Sequence, residues 1–289
     1  MRLALLRAGA VRDRRGDERL RRRGDALTAG APSPDELAAL AERVARAAGA
    51  VALEHATRGP AAGISTKSTP TDPVTAADRA SEELLLELLA AARPDDAVLG
   101  EEGGARRGTS GLSWVCDPLD GTVNFLFGVP QWAVSVACED AAGTVAGCVY
   151  DPSRDEAFVA ARGGGATLDG EPIRVRAATE LAQALVATGF GYAAERRASQ
   201  ARQAADVIGR VRDLRRFGAA ALDLAWVACG RLDGYYEAGL NAWDWAAGGL
   251  LVAEAGGVVT RGPSPHGVDQ LVASAPAIHP ALVALVGAG

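Results

Sequence analysis

The chain has 289 residues, 48% apolar and 23% charged, with a formal net charge of −6. That length holds one large domain or two smaller ones with a full core. No apolar run approaches the roughly 20 residues of a membrane-spanning helix, and the composition excludes collagen-like sequence and wholesale disorder.

Charge is unevenly placed. Residues 1–23 carry nine arginines against Asp13, Asp17 and Glu18, a balance of +6, so the rest of the chain carries −12. The apolar cluster Leu3 to Leu6 is too short for a signal peptide, and no serine precedes Ser33, unlike a transit peptide. Residues 1–32 read as a disordered extension, with a basic arm for nucleic acid as the alternative. Residues 33–289 read as one compact α/β unit of two subdomains.

That unit opens on a helix: Ser33 as cap, Pro34 in the first turn, Glu36 three residues on, then Leu37, Leu40, Val44, Ala48 and Val51 along one face. Gly59-Pro60 ends it. A polar loop, Ile64–Pro73, holds Lys67, the only lysine among 30 basic residues. A second helix is predicted from about Val74 to Arg93. Short strands are predicted at Ala97–Leu99, Ser113–Asp117, Trp132–Glu139, Val145–Tyr150 and Glu156–Ala161. Gly163-Gly164-Gly165 lacks the partners of a phosphate-binding loop and reads as a hairpin, followed by a turn at Asp169-Gly170. The second half alternates strands (Ala184–Gly189, Asp213–Phe217, Gly234–Glu237) with helices (Arg196–Gly209, Ala219–Ala228, Ala242–Ala255). Strands at Gly257–Thr260 and Gln270–Ser274 and a terminal helix close it. Sheets and helices in layers follow from that order.

His55, His266 and His279 lie far apart with no ligand-spaced pair, which argues against a zinc centre. Cys116, Cys138, Cys148 and Cys229 show no C-x-x-C and read as reduced core residues of a cytosolic protein. The chemistry falls to carboxylates. Three acidic strings stand at element ends: Gly100-Glu101-Glu102-Gly103-Gly104, Asp117-Pro118-Leu119-Asp120-Gly121-Thr122-Val123-Asn124, and Trp243-Asp244-Trp245-Ala246-Ala247-Gly248. Taken singly, Asp120 and Asp244 read as helix N-caps and Glu101 and Glu102 as loop acids. Together, Glu101, Asp117, Asp120, Asp244 and the Leu119 carbonyl make an all-oxygen donor set suited to magnesium if the fold unites them. Gly121 and Thr122 would open a helix whose free amides accept a phosphate. Metal and anion sites in one turn point to metal-assisted phosphate-ester hydrolysis.

These strings, with Lys67 to Asp78 upstream, make the chain resemble the inositol monophosphatase family over about residues 35–287. The resemblance implies a layered αβαβα sandwich, a homodimer, two or three Mg²⁺ per site, sensitivity to lithium, and in-line attack by water with no covalent phosphoenzyme. It assigns metal binding to Glu101, Asp117, Asp120, Asp244 and the Leu119 carbonyl. Asp78 and Thr122 match the pair that orients and deprotonates the attacking water, with Glu101 touching it. Substrate contacts fall to Asp120, Gly121, Thr122, Glu237 (a ring hydroxyl), Asp244, Arg215 and the Gly218–Ala220 turn. Lys67, a compact charge on a flexible stem, is expected to meet phosphate or water. The chain departs from the family at Ala219, where Ser or Thr is common, which weakens substrate identity and leaves reaction class intact.

The reading is a cytoplasmic phosphomonoesterase acting on inositol monophosphate, without membrane or nucleic-acid partners. Histidinol phosphate, fructose 1,6-bisphosphate and a 3′-phosphonucleotide are the alternative substrates. A regulatory RNA- or protein-binding protein on the same fold is the alternative class.

Overall fold

The computed structural model describes residues 32–57, 65–66 and 73–287. The N-terminal extension, Lys67 and the stop at Gly59-Pro60 lie outside the described residues. The first helix, α1 (Pro34–Thr57), starts where its cap signals place it and buries Leu37, Leu40, Val44 and Ala48 along one stripe. The expected plain loop contains an antiparallel ribbon, β1 (Ser65–Thr66) with β2 (Pro73–Val74). α2 (Ala76–Ala92) therefore begins two residues later than Val74, capped by Thr75.

From β3 (Ala97–Gly100) the chain builds a large sheet: β4 (Ala105–Arg106), β5 (Ser113–Asp120), β6 (Ala133–Asp140), β7 (Gly143–Asp151), β8 (Glu156–Ala161), β9 (Gly165–Leu168) and β10 (Glu171–Pro172). A five-residue helix, α3 (Thr122–Leu126), separates β5 from β6. Among the described residues this sheet is eight-stranded, in the order β10-β9-β8-β7-β6-β5-β3-β4, with β3 parallel to β5. The triple glycine is the turn between β8 and β9, as its composition predicts. The amides of Gly163 and Gly165 hold the Glu254 carboxylate rather than a phosphate.

The second half supplies β11 (Leu185–Thr188), α4 (Ala194–Ile208), β12 (Asp213–Arg215), α5 (Ala220–Ala228), β13 (Gly234–Ala238), α6 (Ala242–Glu254), β14 (Val258–Pro263), β15 (Asp269–Ser274) and α7 (His279–Gly287). Its sheet runs β12-β11-β13-β15-β14, with β11 parallel to both β12 and β13.

Strand alternation sorts the side chains into layers. On β5 and β6, Trp114, Cys116, Val134, Val136 and Cys138 face α1 and α2. Their neighbours Val115, Ala133 and Ala137 face α5 and α6. On the small sheet, Ala187, Tyr235, Leu271 and Ala273 face that same helix pair. Val186, Tyr236 and Val272 face the opposite way, toward Val207 of α4 and Leu282 of α7. The result is a five-layer αβαβα sandwich with α5 and α6 at its centre. Close packing there explains the small residues of the third string. A Cβ on Gly248 would lie 2.6 Å from Leu224 Cβ, and one on Gly147 would lie 3.0 Å from Ala247.

Asp96, fully buried, ties the end of α2 to β5. It accepts from Arg93 at 2.8 and 3.0 Å and from Trp114 Nε1 at 2.9 Å. Burial alone would raise its carboxyl, but the bonds from Arg93, Ser110 and Trp114 outweigh that and hold it below the usual carboxylate range. A depressed folded-state pKa stabilises the fold above the ordinary carboxylate pKa, and that stability fades as pH falls through the folded value. Asp96→Ala should cost about 2–3 kcal/mol at pH 7. In urea titrations the gap from wild type should narrow toward pH 3, and a gap that is independent of pH would refute this role.

Candidate active site

The second string works because β5 is irregular. Asp117 pairs with Ser135 but Asp120 with Ala133, so β5 carries one extra residue across that interval. In a regular strand, side chains three apart point to opposite faces; the bulge turns both carboxylates to one side. Pro118, which has no N–H to pair, sits inside it. Ser81 of α2 fastens the bulge by donating to the Pro118 carbonyl at 3.0 Å.

Asp117 and Asp120 open onto a cavity of ≈ 530 Å³, which Glu101, Leu119, Asp244 and Glu237 also line. Glu101 follows β3, whose parallel register with β5 sets it beside Asp117. Asp120 is not the cap of the helix that follows it. Its two oxygens accept from Ala220 N at 3.1 Å and Ala221 N at 2.7 Å, the start of α5. Asp244 is not an N-cap either: Asn241 caps α6, and the Asp244 carboxylate returns to the Asn241 amide at 2.6 Å. Asp117 accepts from Leu119 N at 2.9 Å.

Crowding makes these acids hard to ionise. Burial, then Glu101, Asp120 and Asp244, push Asp117 well above the ordinary carboxylate range. Burial raises Asp120 to about 7 against the pull of the two α5 amides, with Glu101 and Glu237 adding to the rise. Asp244 is raised by burial and then by Asp120 and Glu101. Among the described residues, no three acidic, histidine or cysteine side chains form a ready-made cage for one ion. Asp117, Asp120 and Asp244 are instead engaged by backbone amides. The donor set is nevertheless all oxygen, concentrated and electrostatically unrelieved, which is the chemistry a hard divalent cation fits.

Behind the wall lies a second arrangement. Thr122 Oγ1 donates to Asp78 Oδ1 at 3.0 Å and approaches the Leu119 carbonyl at 3.1 Å. Asp78 also accepts from Thr75 N at 2.8 Å and from the Thr75 hydroxyl. Gly121 adopts φ 95°, and a Cβ there would lie 2.9 Å from the Gln131 carbonyl, so glycine is required.

A model of the inositol monophosphatase family matches residues 33–287. The chain belongs to the inositol monophosphatase family. The inositol-1-monophosphatase of Mycobacterium bovis is 47% identical over 229 residues, 75% of this chain and 79% of that protein. A Pasteurella multocida protein called Nus factor SuhB is 43% identical over 244 residues, 83% of this chain and 91% of the relative. The solved structure of extragenic suppressor protein suhB from Bartonella henselae superposes with a TM-score of 0.80 at 36% identity, covering 86% of this chain and 98% of that one. Mycobacterium tuberculosis SuhB gives a TM-score of 0.76 at 42% identity, with 88% and 97% covered. Membership in the inositol monophosphatase family supports a phosphatase acting on a small phosphate monoester.

In this family member the cavity unites the three acidic strings with Gly121, Thr122, Gly218 and Glu237. Two expected contacts fall outside the lining. Arg215 forms an ion pair with Asp213 at 2.5 Å, two residues back on the same strand face, so the next residue, Arg216, points into the cavity. Ala219 is buried, and the cavity is lined by its neighbours Gly218 and Ala220. Glu82 has a role the acidic strings do not reveal. Its carboxylate accepts from Glu102 N and Gly104 N, both at 2.8 Å, in space left by Gly100 and Gly104. Its spacing of four from Asp78 on one helix face was the available signal. Asn124 straps α3 to the Gly218 turn through the Gln131 and Phe217 carbonyls, both at 2.7 Å. Thr122→Val should lower unfolding stability by about 1–3 kcal/mol, since it deprives buried Asp78 of a donor. In urea the midpoint should fall at unchanged slope, and an unmoved midpoint would count against the bond.

Proposed function

We propose that the protein is a Mg²⁺-dependent phosphomonoesterase that hydrolyses inositol monophosphate to inositol and phosphate by in-line attack of water. The observation that carries the reading is the convergence of Glu101, Asp117, Asp120 and Asp244 on one cavity beside the Gly121-Thr122 turn. The metal would be held by those four carboxylates and the Leu119 carbonyl. Bound there, it would supply positive charge against the phosphate and acidify water.

The chain's own residues supply the rest. Asp78, held by three donors, is a fixed acceptor for the Thr122 proton. Thr122 Oγ1 can then take a proton from the attacking water as it passes its own to Asp78. The Gly121-Thr122 turn orients the phosphate. Glu237 stands where a ring hydroxyl would meet it, seated over Gly189 and held by the Tyr235 hydroxyl. Arg216, rather than Arg215, is the cation beside that position.

Relatives called Nus factor SuhB favour a second reading, a regulatory protein on the same fold, which requires no turnover at this site. Phosphate release from inositol 1-phosphate, histidinol phosphate, fructose 1,6-bisphosphate and a 3′-phosphonucleotide separates the two. Turnover should need Mg²⁺, stop with EDTA and fall with Li⁺. No metal-dependent release from any substrate would sink the enzyme reading. Asp117→Asn should lower kcat at least 100-fold (about 2.7 kcal/mol) with an unchanged circular dichroism spectrum. Full activity would refute the metal assignment.

A further inference from the structure

The structure assigns a positioning role to Glu82 and Ser81 of α2: they gauge the separation between Glu101 and the Asp117–Asp120 bulge, and through it the size of divalent ion that the carboxylates accept. This inference rests on the metal-dependent phosphatase reading and concerns which ion can serve it.

One stripe of α2 faces the site. Asp78, Ser81 and Glu82, three and four residues apart, are all buried, and Leu85 and Leu89 carry the stripe on into the core shared with α1 and the large sheet. The helix is thus apolar where the core grips it and polar where it meets the site. Each polar residue holds a different segment. Asp78 accepts from the Thr122 hydroxyl at 3.0 Å. Ser81 donates at 3.0 Å to the Pro118 carbonyl, inside the bulge between Asp117 and Asp120. Glu82 accepts from Glu102 N and Gly104 N, both at 2.8 Å.

The Glu101 loop needs such a hold. Glycine fills three of the five positions 100–104, and Gly103 adopts φ 102°, so this backbone has much freedom to lose. Main-chain bonds fix its two ends: Glu101 N donates to the Cys116 carbonyl at 3.2 Å, and Gly100 N to the Gly104 carbonyl at 2.6 Å. Glu82 closes the middle. The loop wraps its carboxylate so tightly that a Cβ on Gly100 would lie 2.5 Å from Oε2, and one on Gly104 would lie 2.6 Å from Oε1. Two of the three glycines therefore answer to Glu82. Glu102 N belongs to the peptide that joins Glu101 to Glu102, so its bond to Glu82 fixes the backbone from which Glu101 projects. A carboxylate accepts both N–H groups, whereas a carboxamide would turn its own NH₂ against one of them.

Glu82 and Ser81 are neighbours on one helix, so the span between the two segments they hold cannot change unless α2 moves, and Leu85 and Leu89 anchor it. A frame of fixed span discriminates between ions. Mg²⁺ demands near-octahedral oxygens at roughly 2.0–2.1 Å, whereas Ca²⁺ accepts about six to eight oxygens at roughly 2.3–2.6 Å in looser geometry. Loosening the frame should therefore weaken Mg²⁺ more than Ca²⁺.

The Tm of the metal-free protein, titrated with Mg²⁺ and separately with Ca²⁺, tests this in wild type, Glu82→Gln and Ser81→Ala, because an ion that binds only the folded state raises Tm with concentration. Glu82→Gln should raise the apparent Kd for Mg²⁺ about tenfold, as loss of a residue supporting a metal ligand does, and that for Ca²⁺ clearly less. Ser81→Ala should move the ratio of the two constants the same way by a smaller factor. A lower Tm with the wild-type ratio would mean plain structural support and overturns the role, as does a ratio that moves toward Mg²⁺. If Glu82→Gln does not fold, the ratio in Ser81→Ala decides alone. Phosphate release from inositol 1-phosphate keeps the two readings apart. A wild type that responds to Mg²⁺ yet hydrolyses nothing brings down the phosphatase reading, and the ratio still decides the role of Glu82 and Ser81. A wild type whose Tm responds to neither ion overturns both.

Discussion

The structure depends on keeping several carboxylates buried together without letting them repel the fold apart. Asp117, Asp120 and Asp244 are all driven toward protonation by burial and by neighbouring carboxylates, Glu101 acting on all three. What holds them is backbone. Asp120 takes two amides at the start of α5, Asp244 closes the first turn of α6, and Asp78 closes that of α2. Three helices begin at acidic side chains, where their unsatisfied N–H groups and dipoles favour negative charge. Helix placement and site electrostatics are therefore one problem.

The layers follow from that arrangement. α5 and α6 must start at the cavity and also fill the gap between two sheets. Gly147, Ala247 and Gly248 let them approach closely enough to do both. Asp96 performs the corresponding task at the outer edge, binding α2 to the strand whose far end carries Asp117. The family shows that such a framework carries phosphatases, and relatives called Nus factors show that its members bear more than one kind of name.

Much of this was legible in the sequence. Element order and type follow from periodicity and from caps such as Ser33-Pro34. The acidic strings were visible because acids at strand ends demand a reason. What escaped were features with no local sign. A bulge is defined by pairing with another strand, so Asp117 and Asp120 could not be placed on one face from their spacing alone. The choice between Arg215 and Arg216 turns on which way β12 faces, and Asp213 decides it. Glu82 and Asn124 act on loops distant in sequence, and each resembles an ordinary helix residue until the fold is known. The ribbon of β1 and β2 is too short to impose a pattern on its residues.

The division of the cavity between the two sheets has a consequence for how such a protein can change. The large sheet and α3 carry Glu101, Asp117, Asp120 and Thr122, whereas β11, α4, β12 and β13 or the turns beside them bring Gly189, Arg196, Arg216 and Glu237. Under the proposed function, hydrolysis and recognition would thus reside on separate strata, joined through the α5 amides that grip Asp120. Mutations in the small sheet can explore new substrates while the bond-breaking apparatus stays fixed. A lineage on this fold can change its diet without relearning how to digest.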